Sequence, residues 1–415
     1  MPKKISVKYG TEKFQFKLPD YAGIPGINDP DAEITTSEFK TRLEQELKRL
    51  RPDFSDVVIV LADKTRLCGY PIFLPVLIKT LKEFGVKKDN ITVYIAYGTH
   101  PRQTDNESAE LYGDTYRDYR FIHHDCRENN IFTKLGKTMR GTPVYMRRDI
   151  IDSSFIITFG AISHHYFAGY GGGRKLIFPG LGRLDAIYKN HGLFLDKQNR
   201  VLSVSCLPGV LDGNPLAEDL AEYESFCPAD LSIHGIIDSR GNVCDLLPGS
   251  GKDHFQKACR EHGKNCEIYT DKKYDHVIAS CGGYPKDINF IQSHKAVHHA
   301  SMFVNDGGNL IVLAKCLDGI GSKTFLPWFE LGTWEKAFDR LSKNYEGNGG
   351  TALSMMSKLR RINISMVTEL DDFICKTIGV KKITINQAKE HVERFYGSIA
   401  AITHAGLLVK KASII

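Results

Sequence analysis

Between Phe159 and Asp196 the chain gathers residue types whose spacing could do chemistry. His164 and His165 come first, then glycines at 169, 171, 172 and 173, then Arg174-Lys175, and finally His191. Glycines at this density let a backbone approach a ligand closely and adopt positive φ, and N–H groups exposed in that conformation favour an anion. A lysine beside an arginine and before Leu176, Ile177 and Phe178 is expected to find its charged form disfavoured. Its free amine is then available as a nucleophile or a covalent anchor. The loop is not a P-loop, because no Ser or Thr follows Lys175. Nor does Gly-Tyr-Gly-Gly-Gly-Arg give the G-x-G-x-x-G of a dinucleotide site. Taken alone, the segment reads as an anion site next to a lysine.

The elements that must position this loop are legible as apolar runs. Residues 56–62 end at Asp63-Lys64-Thr65-Arg66, residues 91–97 at Gly98-Thr99-His100, and residues 154–159 at the loop itself. Each run reads as a buried strand, with helices expected over 37–50 and 72–84. Three strands with polar residues just past their carboxyl ends are the layout of an open α/β sheet, whose ligands sit in the crevice beyond those ends. Asp63, Arg66, His100, His165 and Lys175 are therefore expected to converge. The bland alternatives are a surface pair for Asp63 and Arg66 and a helix cap for His100.

Around these, residues 5–18 alternate about a Gly-Thr turn and predict a β-hairpin. Residues 197–270 are less readable: a turn at 211–215 into a helix over 216–224, a hairpin turning at Arg240-Gly241, and a helix after Gly251. A second α/β unit starts with a strand at 274–280 and continues into a helix carrying Gln292 and Lys295 on one face. His294, His298 and His299 on that helix are expected to face solvent. Strands at 308–314 and 362–367 and a helix at 334–341 extend the unit. The expected boundaries are 1–270 for the first domain and 271–396 for the second, with 397–415 packing back on the first.

Composition narrows the class. A chain of 415 residues exceeds what one core usually covers, so two domains are the default. With 42% hydrophobic and 25% charged residues it is an ordinary globular protein. A net charge of +6 without a long basic run gives no reason to expect nucleic-acid binding, while a locally positive cleft for a small anion is compatible. No stretch of 18 apolar residues is present and the start lacks the apolar core of a signal peptide, so no membrane partner and a cytoplasmic location are expected. The ten cysteines form no C-x-x-C pair and are expected to be free, mostly buried thiols.

The motifs together resemble the lactate racemase family, enzymes that carry a nickel-pincer nucleotide. The family pattern is a His, ten residues on the cofactor-bearing Lys, and sixteen residues further a nickel-binding His, and His165, Lys175 and His191 reproduce both intervals. Asp63 and Arg66 in ADKTR, His100 in YGTHPRQT, and Gln292 with Lys295 in IQSHK match outlying motifs in the same order. The resemblance implies two Rossmann-like α/β domains with the active site in the cleft between them. It implies a pyridinium-derived mononucleotide tethered to Lys175, with nickel held by His191 and a carbon–sulfur pincer. His100 and His165 would be alternate general bases for the two enantiomers of a 2-hydroxy acid, whose C2 hydrogen moves as hydride. Gln292, Lys295 and Arg66 would hold the substrate carboxylate, with Asp63 orienting Arg66. Arg174, Gly172 and Gly173 are candidates for the cofactor phosphate on anion-binding grounds. Cofactor-synthesis enzymes would be partners for loading. Where lactate racemase has a Tyr just before the Gln, this chain has Ile291, so a larger hydroxy acid or a sugar acid epimerised at C2 is as compatible as lactate. Two other readings stand beside this one: a nickel-free dehydrogenase or lyase using Lys175 as a Schiff base, and a non-catalytic protein that binds the cofactor.

Overall fold

The structure is a computed structural model and describes residues 2–51, 53–394 and 396–412. Asp29–Phe194 with Val204–Lys264 form one compact unit, and Met1–Asn28, Leu195–Ser203 and Asn265–Ile415 form the other.

The first unit is built on a six-stranded sheet. Across it lie Val243–Gly249, Leu231–Ile237, Phe155–Ala161, Val57–Ala62, Ile91–Ala96 and Arg120–His123. All neighbours pair parallel except Val243–Gly249, which folds back on Leu231–Ile237 as an antiparallel hairpin. Val57–Ala62 is buried at every position, the unbroken apolar run of a strand covered on both faces. The chain runs outward one way from Val57–Ala62, then restarts on its other side at Phe155–Ala161. That reversal is the doubly wound arrangement, and the crevice it opens at the carboxyl ends is where such folds bind ligands.

Buried tyrosines fix the strand ends at the crevice. The Tyr70 hydroxyl donates to the Phe159 carbonyl (2.9 Å) and accepts from the Ala62 N–H (3.0 Å). Tyr112 donates to the Ala62 carbonyl at 2.8 Å. On the other side of the reactive loop, the ring of Phe178 lies flat against that of Tyr223, with centroids 3.6 Å apart, and both rings are fully buried. Phe178→Ala would leave a cavity against Tyr223 and is expected to cost about 3–5 kcal/mol, read from the urea midpoint.

The second unit holds a five-stranded parallel sheet ordered Lys381–Lys382, Asn363–Val367, Val304–Leu313, Tyr274–Ser280 and Ile399–Ile402. The expected boundaries differ from the observed ones at both ends of the chain. The hairpin of Lys3–Tyr9 and Glu12–Leu18 packs Ile5, Val7, Phe16 and Leu18 against Ile278, Ile311 and Leu313 of this second sheet. Ile399–Ile402 runs parallel to Tyr274–Ser280, and Val409–Lys411 runs parallel to Glu267–Tyr269. Without Ile399–Ile402, the apolar strand Tyr274–Ser280 would be an open edge with unpaired backbone groups. The returning segment thus completes the second sheet rather than the first, and residues 413–415 of the expected segment lie outside the described residues.

The histidines of the Phe290–Ser301 helix also depart from expectation. His294 and His299 are only 1% and 2% exposed, packed among Ala296, Val297 and Ala300 on the inner side of the helix. All ten cysteines are free, and Cys227 and Cys244 are the half-exposed ones. Among the described residues, no helix is long and apolar enough to cross a membrane.

Candidate active site

Asp63, Arg66, His100, His165, Gly172, Lys175 and His191 line one cavity of the first unit, together with Tyr97, Pro179 and Ile187. Its floor is the crevice described above: Ala62 ends one strand, Ala96 the next, and Gly160-Ala161 the third. Residues spread over more than a hundred positions therefore meet because three parallel strands stop at the same level.

His100 and Asp63 form a pair. The imidazole Nδ1 lies 2.6 Å from Asp63 Oδ2, and since a carboxylate can only accept, Nδ1 carries the proton, and in the neutral ring Nε2 holds the lone pair. Asp63 is 4% exposed. Burial opposes its ionisation, but the hydrogen bond and charge of His100, with the hydroxyl and N–H of Thr65, outweigh that and hold its carboxyl at about 2. The Thr65 contacts are 2.6 and 2.9 Å, both on the other carboxylate oxygen. The expected orientation of Arg66 by Asp63 takes a different form. Arg66 donates to Ser163 Oγ at 3.3 Å, and Asp63 acts on it through charge, countering the burial that lowers the guanidinium pKa. The His100 loop is tied to the lysine loop by the Gly98 N–H, which donates to the Gly180 carbonyl at 2.9 Å.

The reactive loop alternates direction. Ser163–His165 pairs antiparallel with Gly169–Gly171, so neighbouring histidines point to opposite faces. His164 packs its ring on Tyr170 and His262, at 4.9 and 4.8 Å between centroids, and His165 turns to the cavity. His165 Nδ1 accepts the backbone N–H of Phe167 (3.2 Å) and Ala168 (3.0 Å), so in the neutral ring the proton sits on Nε2. The two imidazoles thus rest in opposite tautomers, one offering a lone pair at Nε2 and the other an N–H.

Gly172 has φ +79°, and a Cβ there would sit 2.2 Å from the Ala161 carbonyl oxygen. That close approach, then a turn of 3-10 helix over Gly173–Leu176, aims Lys175 at the cavity. Gly172→Ala is expected to cost about 1–3 kcal/mol for the positive-φ extended conformation alone. The clash with Ala161 should also displace Lys175, so urea denaturation and the acylation rate of that lysine check it together.

His191 ends the Leu184–His191 helix. Its Nδ1 donates to the Ile187 carbonyl at 2.8 Å, which fixes the proton on Nδ1 and leaves Nε2 as the nitrogen with a lone pair. Burial first, then the Lys175 cation and His100, lower its pKa to about 4 against the weaker pull of the Ile187 carbonyl. The ring is accordingly neutral at ordinary pH. A neutral imidazole with its other nitrogen bonded to a carbonyl is the arrangement of a metal ligand.

Arg174 does not join the cavity. It is 6% exposed, with its guanidinium 4.9 Å over the Phe255 ring. Gly173 is set against Phe255 and His234 instead of the cavity lining. In the second unit, Lys295 Nζ donates to Gln292 Oε1 at 2.8 Å, one turn apart on a helix capped by Asn289.

The lactate racemase N-terminal domain model matches residues 9–203, and the lactate racemase C-terminal domain model matches residues 269–403. The lactate racemase of Thermoanaerobacterium thermosaccharolyticum is 29% identical over 343 residues, 79% of this chain and 78% of that one. The lactate racemase of Lactiplantibacillus plantarum is 25% identical over 281 residues, 67% of this chain and 64% of the other. The fold is that of the T. thermosaccharolyticum lactate racemase apoprotein, with a TM-score of 0.89 at 24% identity over 99% of this chain and all of the other. A Thermotoga maritima protein shares it at a TM-score of 0.71 and 16% identity, over 92% of this chain and 99% of the other. With both domain models matched in order over most of its length, the chain belongs to the lactate racemase family and is an isomerase of the racemase class.

Proposed function

We propose that the chain is a racemase or C2-epimerase of a 2-hydroxycarboxylic acid, lactate or larger, working with a nickel-pincer nucleotide held by Lys175 and His191. The observation that carries this reading is the single cavity lined by Asp63, Arg66, His100, His165, Lys175 and His191. The residues fit the group. A neutral imidazole with its Nδ1 proton spent on a carbonyl suits nickel, an amine shares its cavity, and Gly172 allows the backbone to approach. When bound, the group would supply an acceptor for the C2 hydrogen as hydride, avoiding the dianion that proton abstraction beside a carboxylate would create.

The chain's own residues supply the rest. His100 takes the hydroxyl proton at Nε2, and Asp63 holds the ring in the right tautomer and stabilises it once protonated. His165 serves the opposite enantiomer. To act as a base at Nε2 it must move its proton or turn its ring, which means releasing the N–H groups of Phe167 and Ala168. Arg66 offers a cation to the substrate carboxylate at the cavity, and Gln292 with Lys295 are assigned to the same carboxylate on the resemblance of their motif.

The test is expression together with the cofactor-synthesis enzymes, followed by intact-mass spectrometry, nickel analysis and a screen of 2-hydroxy acids for change of optical rotation. A mass adduct on Lys175 with stoichiometric nickel and racemisation of one or more acids is expected. Racemisation with neither adduct nor nickel rejects the reading in favour of nickel-free lysine chemistry.

A further inference from the structure

The Pro215–Ser225 helix contributes nothing to the cavity lining, yet buried polar groups on it and at its cap reach two segments of the loop-and-helix half of the site. Its N-cap, Asn214, is fully buried. The Asn214 Nδ2 donates to the Phe167 carbonyl (2.8 Å) and the Val210 carbonyl (3.0 Å), and Oδ1 accepts the N–H groups of Leu216 and Ala217. Phe167 is the residue whose own N–H bonds His165 Nδ1.

Five residues on, Asp219 is also fully buried. Its carboxylate accepts from Thr138 Oγ1 (2.5 Å), Thr142 Oγ1 (2.8 Å) and Asn190 Nδ2 (2.8 Å). Asn190, with no exposed surface, immediately precedes His191.

Apolar residues would pack this helix equally well, since a buried carboxylate costs several kcal/mol unless its lone pairs are satisfied. We propose that the Pro215–Ser225 helix and its cap are a positioning element of the site: Asn214 sets the His165 turn, and Asp219 sets His191 through Asn190. The proposal rests on the functional reading of His165 and His191 given above. These are positioning residues, acting through the segment each one holds.

The test uses the full-length chain without cofactor, so it stands apart from that reading. Imidazole ¹⁵N shifts report His165 and His191, and the acylation rate by a limiting reagent, read by peptide mass, reports Lys175. Asn214→Asp is expected to move the His165 signals alone and Asp219→Asn the His191 signals alone, with the Lys175 rate unchanged in both. In the loaded enzyme, Asp219→Asn should weaken nickel retention about 10- to 100-fold while the Lys175 adduct persists. The exchanged pair Asn190→Asp with Asp219→Asn restores a donor facing a carboxylate and should return the His191 signals. It also decides the matter if Asp219→Asn alone does not fold. Any other pattern, with all three reporters moving together, none moving in folded variants, or no recovery in the exchanged pair, overturns the proposal. If the unsubstituted enzyme carries no adduct, the functional reading fails while the apo signals still decide the positioning.

Discussion

His100→Ala is expected to lower kcat/KM by about 10²–10⁴-fold for both enantiomers of the substrate, because the proposed mechanism uses both imidazoles in every turnover. A base dedicated to one enantiomer would, when removed, slow one direction only if the other direction were independent of it. At equilibrium the two directions are linked through the overall constant of a racemisation, so both must fall together. Progress curves started from each pure enantiomer measure this. Rates left unchanged from both enantiomers would remove His100 from the chemistry. Cofactor loading should be unchanged, since His100 holds neither the amine nor the proposed nickel ligand, and intact mass verifies that control.

The Asp63 side of the pair sharpens the expectation. Asp63→Asn keeps the shape of the side chain but can turn an amide donor toward His100 Nδ1, where the carboxylate now accepts at 2.6 Å. The ring would then favour the tautomer with its proton on Nε2, the wrong atom for taking a hydroxyl proton. Asp63→Asn is accordingly expected to reproduce most of the kinetic loss of His100→Ala. The double variant should add little to either single one, as for groups that act as a unit.

This pair also marks where sequence stops being enough. The His165, Lys175 and His191 intervals could be read directly, because residues within one loop and the helix after it have fixed separations in the chain. The three strand ends could be read from apolar runs that stop at polar residues, and the doubly wound sheet places them side by side. Asp63 and His100 are 37 positions apart, and nothing local distinguishes a carboxylate that orients a histidine from one that pairs with Arg66. Arg174 looked like a phosphate ligand because it adjoins glycines and a lysine, but the turn at Gly173 sends it inward over Phe255. The buried polar groups of the Pro215–Ser225 helix and its cap left a trace in Asn214-Pro215, a capping signal, and none in Asp219, which looks like any surface acid of an amphipathic helix. The N-terminal hairpin was legible as a hairpin but not as a cover for the second sheet, since its partners lie more than 250 residues away.

Lys175→Ala and His191→Ala should both abolish racemisation to background, and for different reasons that a mass spectrum separates. Without the amine no covalent adduct can form, so the Lys175→Ala protein should emerge from co-expression at its unmodified mass and without bound nickel. Without the imidazole the amine remains, so His191→Ala should carry the adduct mass but lose its nickel on gel filtration. The contrast depends on the two groups sharing one cavity while being held independently: Lys175 by the Gly172–Leu176 turn, His191 by the Ile187 carbonyl at 2.8 Å. Lys175→Arg completes the argument. It keeps a cation beside His191, and so preserves the electrostatics that help lower the pKa of that ring, but guanidinium is a poor nucleophile. An unmodified mass for Lys175→Arg would show that the amine is needed as a bond-forming atom and not as a charge. If the Lys175→Arg protein retained both adduct and activity, the tether would have to lie elsewhere, and the cavity's chemistry would need another anchor.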